Sequence, residues 1–402
     1  MRQVPSNFKL IFPFFTVIIL DSMGTGMMLP VLAPLINAKH GMLSHYHPST
    51  QHVIYGIILG MWPFCFMIGA PIFGYLSDHS GRKPILLTCL LGSFISFILY
   101  IISFRYSFLG VLLIGRIVGG ITSGSQGVAQ AAIAEASVDK QKAINIGIIA
   151  VAMTIGLIVG PLLGGVFSDQ HLVEWFNNTT PFYIAAFLTL FNIFLLSFYL
   201  QNKPKLNKTS NLLLRLSKLF RNQKIILLLA VFFFFELAWS LYFQSLALLL
   251  AQRFHFSNAM IGIFSSYVGI LLSIGLLFLV RMVVKIWPLQ RAISFSLGLG
   301  LFSLIAIFLL SGIAAQWLFA IPIAMAVAIC YAAIIALASD LMGEGQGLLM
   351  GVTDAVLALA FSITGFLAGI SAYVSPHFPQ LIAALFMLVA IFIFYYSQRS
   401  RL

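Results

Sequence analysis

The chain has 402 residues, 61% of them hydrophobic and only 8% charged, with a mean hydropathy of +1.04 and a formal net charge of +12. A soluble domain carries about a quarter charged residues, so the composition excludes a soluble globular protein. Thirty-eight phenylalanines exclude a disordered chain or a nucleic-acid binder, which need low hydrophobicity or a basic face in water.

A helix crossing a hydrocarbon core of about 30 Å takes about 20 apolar residues, which leaves room for roughly a dozen spans and no sizeable soluble domain. In chain order the apolar runs fall at 8–36, 53–76, 85–104, 109–134, 143–168, 181–200, 225–251, 259–284, 292–312, 316–339, 347–373 and 380–397. The expected fold is therefore all-α and integral to the membrane, with twelve transmembrane helices. Arg2 and Lys9 precede the first run, but Asp21, Gly24, Gly26 and Pro30 lengthen it past a signal peptide's apolar core, so it reads as a span. With the N-terminus inside, eighteen Lys and Arg fall on the inner side and only Lys39, Arg105 and Arg253 outside. Positive charge stays inside, which predicts a multi-pass protein of the cytoplasmic (inner) membrane with both termini in the cytoplasm.

The longest inner connection, 201–224, divides the chain into a bundle of six helices over 1–200 and another over 225–402. Within it, residues 211–224 oppose Leu212, Leu213, Leu216, Leu219 and Phe220 to Arg215, Lys218 and Arg221. That pattern suits a helix lying on anionic lipid, the alternative being a plain polar linker. Cys65, Cys89 and Cys330 sit inside apolar runs without metal-ligand spacing and read as packing residues.

Four motifs stand out along the first half. Span 1 carries Asp21-Ser-Met-Gly24-Thr-Gly26-Met-Met-Leu-Pro30, which groups Thr25 and Met28 with Asp21 on one helix face. After span 2 comes Gly74-Tyr-Leu-Ser-Asp78-His-Ser-Gly81-Arg82-Lys83-Pro84. Its glycines allow a tight turn, Asp78 can accept from an arginine or a helix start, and Arg82 and Lys83 obey the charge rule. Span 4 carries Leu113-Ile-Gly115-Arg116-Ile-Val-Gly119-Gly120 and continues as a polar stripe through Ser123, Gln126 or Gly127, and Gln130, which predicts a helix face lining a water-filled cavity. Span 5 carries Gly156-Leu-Ile-Val-Gly160-Pro161-Leu-Leu-Gly164-Gly165, where Gly156, Gly160 and Gly164 give a flat face for a neighbouring backbone and Pro161 a bend. It reads as a packing hinge, or as an ordinary tight helix crossing.

The loop after span 2 matches the G-x-L-[AS]-D-x-x-G-R-[RK]-P signature of the major facilitator superfamily. The other three segments resemble its drug:proton antiporter branch, with span 1 close to that of tetracycline efflux pumps. The resemblance implies two pseudo-symmetric six-helix bundles rocking around a central site, gating by the signature loop and the span 5 motif, and a latch between Glu135 and Arg82. The second half departs from the pattern. The loop Arg281-Met-Val-Val-Lys285-Ile-Trp-Pro288-Leu-Gln-Arg291 keeps the charge but lacks the Gly and Asp, and span 9 lacks the acid that the tetracycline pumps carry there.

An ionisable side chain in mid-bilayer costs at least ~2.5 kcal/mol, so each needs a partner or a purpose. Asp21, Arg116, Glu236 and Asp354 are the proton-coupling candidates. The resemblance puts spans 1 and 4 on one cavity, where Asp21 and Arg116 pair directly or through water, as a proton switch or as a static ion pair. Helical spacing groups Glu236 with Trp239, Ser240, Phe243 and Gln244, an anionic and aromatic wall suited to an amphiphilic cation. The alternative is an aromatic belt with Glu236 reaching the outer interface. The substrate-cavity candidates are thus Thr25, Met28, Ser123, Gln126, Gln130, Trp239, Ser240, Phe243 and Gln244.

Seven of eight histidines fall on the predicted outer side, with His40, His45, His47 and His52 in the loop after span 1. Their spacing matches no established metal site, so a solvated loop is expected, with pH response or metal binding as lesser alternatives. A membrane enzyme would need a nucleophile, base or metal cluster, and H-E-x-x-H, G-x-S-x-G and the P-loop are absent from the sequence. The expectation is a proton-coupled exporter of drugs or other amphiphilic molecules, without cofactor or metal. Its partners are small-molecule substrate, protons and the lipid bilayer rather than nucleic acid, and it acts as a monomer. The alternative is a proton-coupled carrier of one metabolite or siderophore-like solute, in either direction.

Overall fold

The computed structural model describes residues 8–36, 42–135, 139–199, 222–342 and 346–399. These form α1 Phe8–Leu32, α2 Pro48–Ser80, α3 Arg82–Tyr106, α4 Leu109–Thr122, α5 Ser125–Glu135, α6 Asp139–Val166 and α7 Thr180–Tyr199. There follow α8 Gln223–Arg253, α9 Asn258–Ile274, α10 Val280–Ile286, α11 Leu289–Leu310, α12 Ile313–Met342, α13 Gln346–Val374 and α14 Phe378–Arg399. Helix lies on every one of the twelve predicted runs, and ten helices among the described residues are long and apolar enough to cross a membrane. Apolar helices dominate because a hydrocarbon interior offers no water to backbone polar groups, so each segment must satisfy its own. The expected amphipathic helix over 211–224 falls almost wholly outside the described residues; only Asn222 is seen capping α8, its side chain accepting from the Lys224 amide at 3.1 Å.

The fourth predicted span is broken. Gly119, Gly120 and Gly124 weaken the helix, and the Thr122 and Ser123 hydroxyls donate back to Val118 O (2.8 Å) and Gly119 O (2.7 Å). α4 stops at Thr122 and α5 starts afresh at Ser125. A π turn at Gly275–Leu279 likewise interrupts the run from α9 to α10.

The described chain forms two compact units. The first holds Met1–Met42, Phe64–Lys208 and Ser257–Ser266, and the second Leu43–Pro63, Thr209–Phe256 and Tyr267–Leu402. In the first, Phe14, Val17 and Ile18 of α1 bury against Leu86, Cys89 and Leu90 of α3, Val128 and Ala129 of α5, and Leu196 of α7. α6 lies along α1 at backbone distance: a carbon added at Gly160 would lie 2.5 Å from Met23 O, and Gly156 and Gly164 meet α1 in the same way. The flat glycine face read from span 5 is thus a helix-packing face against α1. Its last glycine, Gly165, faces Gly262 of α9 instead.

In the second unit α8 is the central helix, buried along most of its length and packed against α12, α13 and α14. The first half of α2 joins this unit through Gly56 and Gly60, which meet the backbone of Phe366 and Ser362 on α13.

Candidate functional site

In the first unit the break between α4 and α5 creates a helix start inside the bundle, and Asp21 of α1 occupies it. Its carboxylate accepts from the Ser125 hydroxyl and from the Gln126 backbone amide. A helix start leaves amide donors without partners and carries positive dipole charge, so it holds a carboxylate without a counter-cation. Arg116, 5% exposed on α4, is bonded instead to the Tyr100 hydroxyl of α3 and lies within Coulombic reach of Cys65 on α2. The two charges that the sequence suggested as a pair are thus held by different neighbours. The polar face beyond Arg116 is not one continuous stripe, because the break rotates Gln126 and Gln130 onto a separate helix. Ser123 is sealed, while Gln126 and Gln130 are half-buried. On α1, Thr25 is half-buried with its hydroxyl bonded to Ser22 O (2.9 Å), and Met28 is 1% exposed, a packing residue in this structure.

In the second unit Glu236 is 1% exposed and its Oε2 has no hydrogen-bond partner. It does not reach an interface. Cys330 and Tyr331 of α12 lie within its electrostatic reach, and Tyr331 is also within reach of Asp354 on α13. Phe232 stands 5.8 Å from the Tyr331 ring, and one turn beyond Glu236 the Trp239 ring stacks on Phe243 at 5.4 Å. Ser240 and Gln244, expected on the same wall, are spent joining helices. Thr364 of α13 donates to the Ser240 hydroxyl at 2.8 Å, and Gln244 donates to Thr364 at 2.9 Å and Phe361 O at 3.0 Å. Asp354 is open at the protein surface.

The signature loop forms its turn at Gly81, whose φ of 94° is a left-handed value that a residue with a side chain rarely adopts. Asp78 and Arg82 pair at 2.8 Å and Arg82 also donates to Ser77. Gly74 lies on the open face of α2, where an added carbon would meet nothing. The Glu135 side chain falls outside the described ones, so its expected latch with Arg82 is not seen.

Two polar clusters were missed in the sequence. At the loop after α6, Asp169 Oδ2 accepts from the Ala259 amide at 3.0 Å and Oδ1 from the His171 amide at 3.0 Å, while the Ser257 side chain also bonds it, so Asp169 caps α9. Burial works against its charge, but these bonds outweigh it and hold the carboxyl below the usual range. His52, expected in the solvated loop with His45 and His47, lies instead in the first turns of α2. It is buried between Pro48 O (2.8 Å) and the Gln252 amide (2.9 Å), with its ring edge on Tyr373. No local signal betrays either partner, since each comes from a distant helix. All three cysteines are buried, as expected.

Long apolar helices that bury Arg116 in one unit and Glu236 in the other are those of a polytopic membrane protein. The chain matches the family model of the Major Facilitator Superfamily over residues 14–365 and belongs to that superfamily. It is a transporter, not an enzyme. It is 34% identical over 181 residues to the tetracycline resistance protein, class H, of Pasteurella multocida, covering 44% of this chain and 41% of that one. It is 30% identical over 280 residues to the class C tetracycline resistance protein of Escherichia coli, covering 68% and 67%. The alignments thus span from about two fifths to two thirds of these relatives. The inward-facing, occupied crystal structure of a bacterial homolog to the human lysosomal transporter Spinster superposes with a TM-score of 0.79 at 14% identity, covering 98% of this chain and 97% of that one.

Proposed function

We propose that the protein is a proton-coupled exporter of drugs or other amphiphilic small molecules, working as a monomer by alternating access between two six-helix halves, 1–200 and 225–402. It lies in the inner membrane with both termini in the cytoplasm, the orientation that keeps eighteen basic residues inside. The observation that carries the reading is Glu236. A buried carboxyl with an unpartnered oxygen needs either a proton or a cation beside it, and aromatic neighbours suit an amphiphilic cation without strict geometry. Proton and substrate then compete for one group, which is the minimal form of antiport.

Asp21 couples protonation to helix position. Ionised, it accepts from Ser125 and from the first turn of α5; protonated, it loses an acceptor and frees that turn to shift. Asp354 is a second proton-carrying group, within reach of Glu236 through Tyr331. One charge crossing 100 mV yields about 2.3 kcal/mol, enough for more than a tenfold gradient of a neutral solute. Gly74, Gly81, Asp78, Arg82 and the Gly156, Gly160, Pro161 and Gly164 face serve gating in this reading. The tetracycline resistance relatives support a drug substrate.

The test uses everted membrane vesicles energised by respiration, with a pH-sensitive dye reporting proton release as tetracyclines or lipophilic cations are added. Release by the wild type, lost in Glu236→Gln, Asp21→Asn or Asp354→Asn, is the expected result and names the carrier. Silence toward every drug from folded, inserted protein would turn the search to the dedicated metabolite or siderophore carrier. Glu236→Gln separates the two readings: a broad exporter loses cationic substrates and keeps others, whereas a dedicated carrier responds uniformly or not at all.

A further inference from the structure

The second half carries a basic cavity outside the residues named in the proposed function. Between α10 and α11 the chain turns through Trp287, whose backbone is extended (φ −117°, ψ 142°) and whose ring stands edge-on to Phe295 at 5.1 Å. These rings, with Tyr395 near the end of α14, wall a cavity of about 500 Å³ that also exposes Arg291, Ser294 and Gln398. The volume lies in the range of small-molecule sites, about 300–1,000 Å³. Its lining holds no carboxylate, and Arg291 has no acid partner among the described residues. Arg281 and Lys285 stand exposed on α10, just before the same turn.

In the corresponding loop of the first half the arginine has an acid of its own, since Asp78 answers Arg82 at 2.8 Å. The second-half loop has kept the cations and lost the acid, and among the described residues no carboxylate answers Arg291, which leaves it open to an anion from outside the chain. Two features say which anion. The cavity opens where spans begin and end, the level at which Trp and Tyr mark the lipid headgroups. Its walls are exposed aromatic faces, which a free inorganic anion does not need but a glycerol backbone and the first acyl carbons do.

We propose that this cavity is a binding site for an anionic phospholipid. Its phosphodiester sits on Arg291 and Ser294, its glycerol region lies against Trp287, Phe295 and Tyr395, and the neighbouring Arg281 and Lys285 disfavour a choline headgroup. Basic pockets between membrane helices bind acidic headgroups by this chemistry.

The test is native mass spectrometry of the full chain released from micelles containing equal phosphatidylglycerol and phosphatidylcholine. Expected is retained phosphatidylglycerol in the wild type, a drop of about fivefold in Arg291→Gln, and no drop in Arg105→Gln, an exposed cation at the end of α3. Ser294→Phe fills the cavity with the arginine kept, and is expected to lose the lipid as well, so the site is testable even if Arg291→Gln folds poorly. Equal retention of the two lipids, or undiminished phosphatidylglycerol in both cavity variants, overturns the proposal. Displacement by millimolar glycerol phosphate overturns it too, because the site then serves a soluble anion.

Discussion

Glu236 concentrates the energetic conflict of the molecule in one side chain. An unpartnered buried polar group costs about 1–3 kcal/mol, and Ser240 bonds only the Glu236 backbone carbonyl, not its carboxyl. Glu236→Leu, which removes the polar group, is therefore expected to raise the thermal midpoint of the purified protein while abolishing drug-induced proton release, a trade of function for stability. A variant that loses both stability and release would mean that Glu236 is a structural group. Asp169 offers a pH test outside the membrane-spanning helices. Its folded carboxyl is held below the usual value, so the stability it adds is complete above the ordinary aspartate range near 4 and drains away as pH falls through the folded value. Asp169→Ala is expected to cost about 1 kcal/mol at pH 7, the typical loss of a helix cap, and to flatten the melting-temperature profile below about pH 4. Melting curves from pH 3 to 7 decide it; parallel wild-type and variant profiles would count against the cap.

Helix by helix, the sequence patterns had a physical basis in one place and hid it in another. The small residues of α6 were legible because a glycine every fourth position can only mean close approach, and the partner proved to be the α1 backbone. Gly160→Val is expected to prevent accumulation of folded protein, since Met23 O cannot retreat, whereas Gly127→Ala, where an added carbon meets nothing, is expected to be silent. Fluorescence size-exclusion profiles of the two variants make the comparison. The broken fourth span was less legible. The Ser123-Gly124 pair inside it is a turn signal, but hydropathy runs straight through. Only the fold brings Asp21 of α1 to the new helix start. On α13, Thr364→Val removes the hydrogen bonds to α8 and is expected to cost about 0.6–1.7 kcal/mol, measured as a shift in thermal midpoint.

For the whole molecule, the charge asymmetry that sets the orientation is a property of sequence alone. The three native cysteines are buried and leave a low background for thiol labelling. Gln398→Cys is expected to react with an impermeant maleimide only in everted vesicles, and His45→Cys only from the other face; the reverse pattern would invert the topology. Composition, the twelve apolar runs, the signature loop and the span 5 glycines were all readable from the chain, because hydrophobic thickness and backbone self-satisfaction leave helices as the only available answer. The site was readable only as a set of ionisable residues inside apolar runs whose partners were unknown. Which polar group is satisfied depends on neighbours on other helices: Ser125 for Asp21, Tyr100 for Arg116, Thr364 for Ser240 and Gln244. Hydropathy acts along the chain and is visible residue by residue. Hydrogen-bond satisfaction inside a bundle acts between helices, and so only the tertiary structure decided that Asp21 rests on a helix start while Glu236 keeps an unanswered charge site.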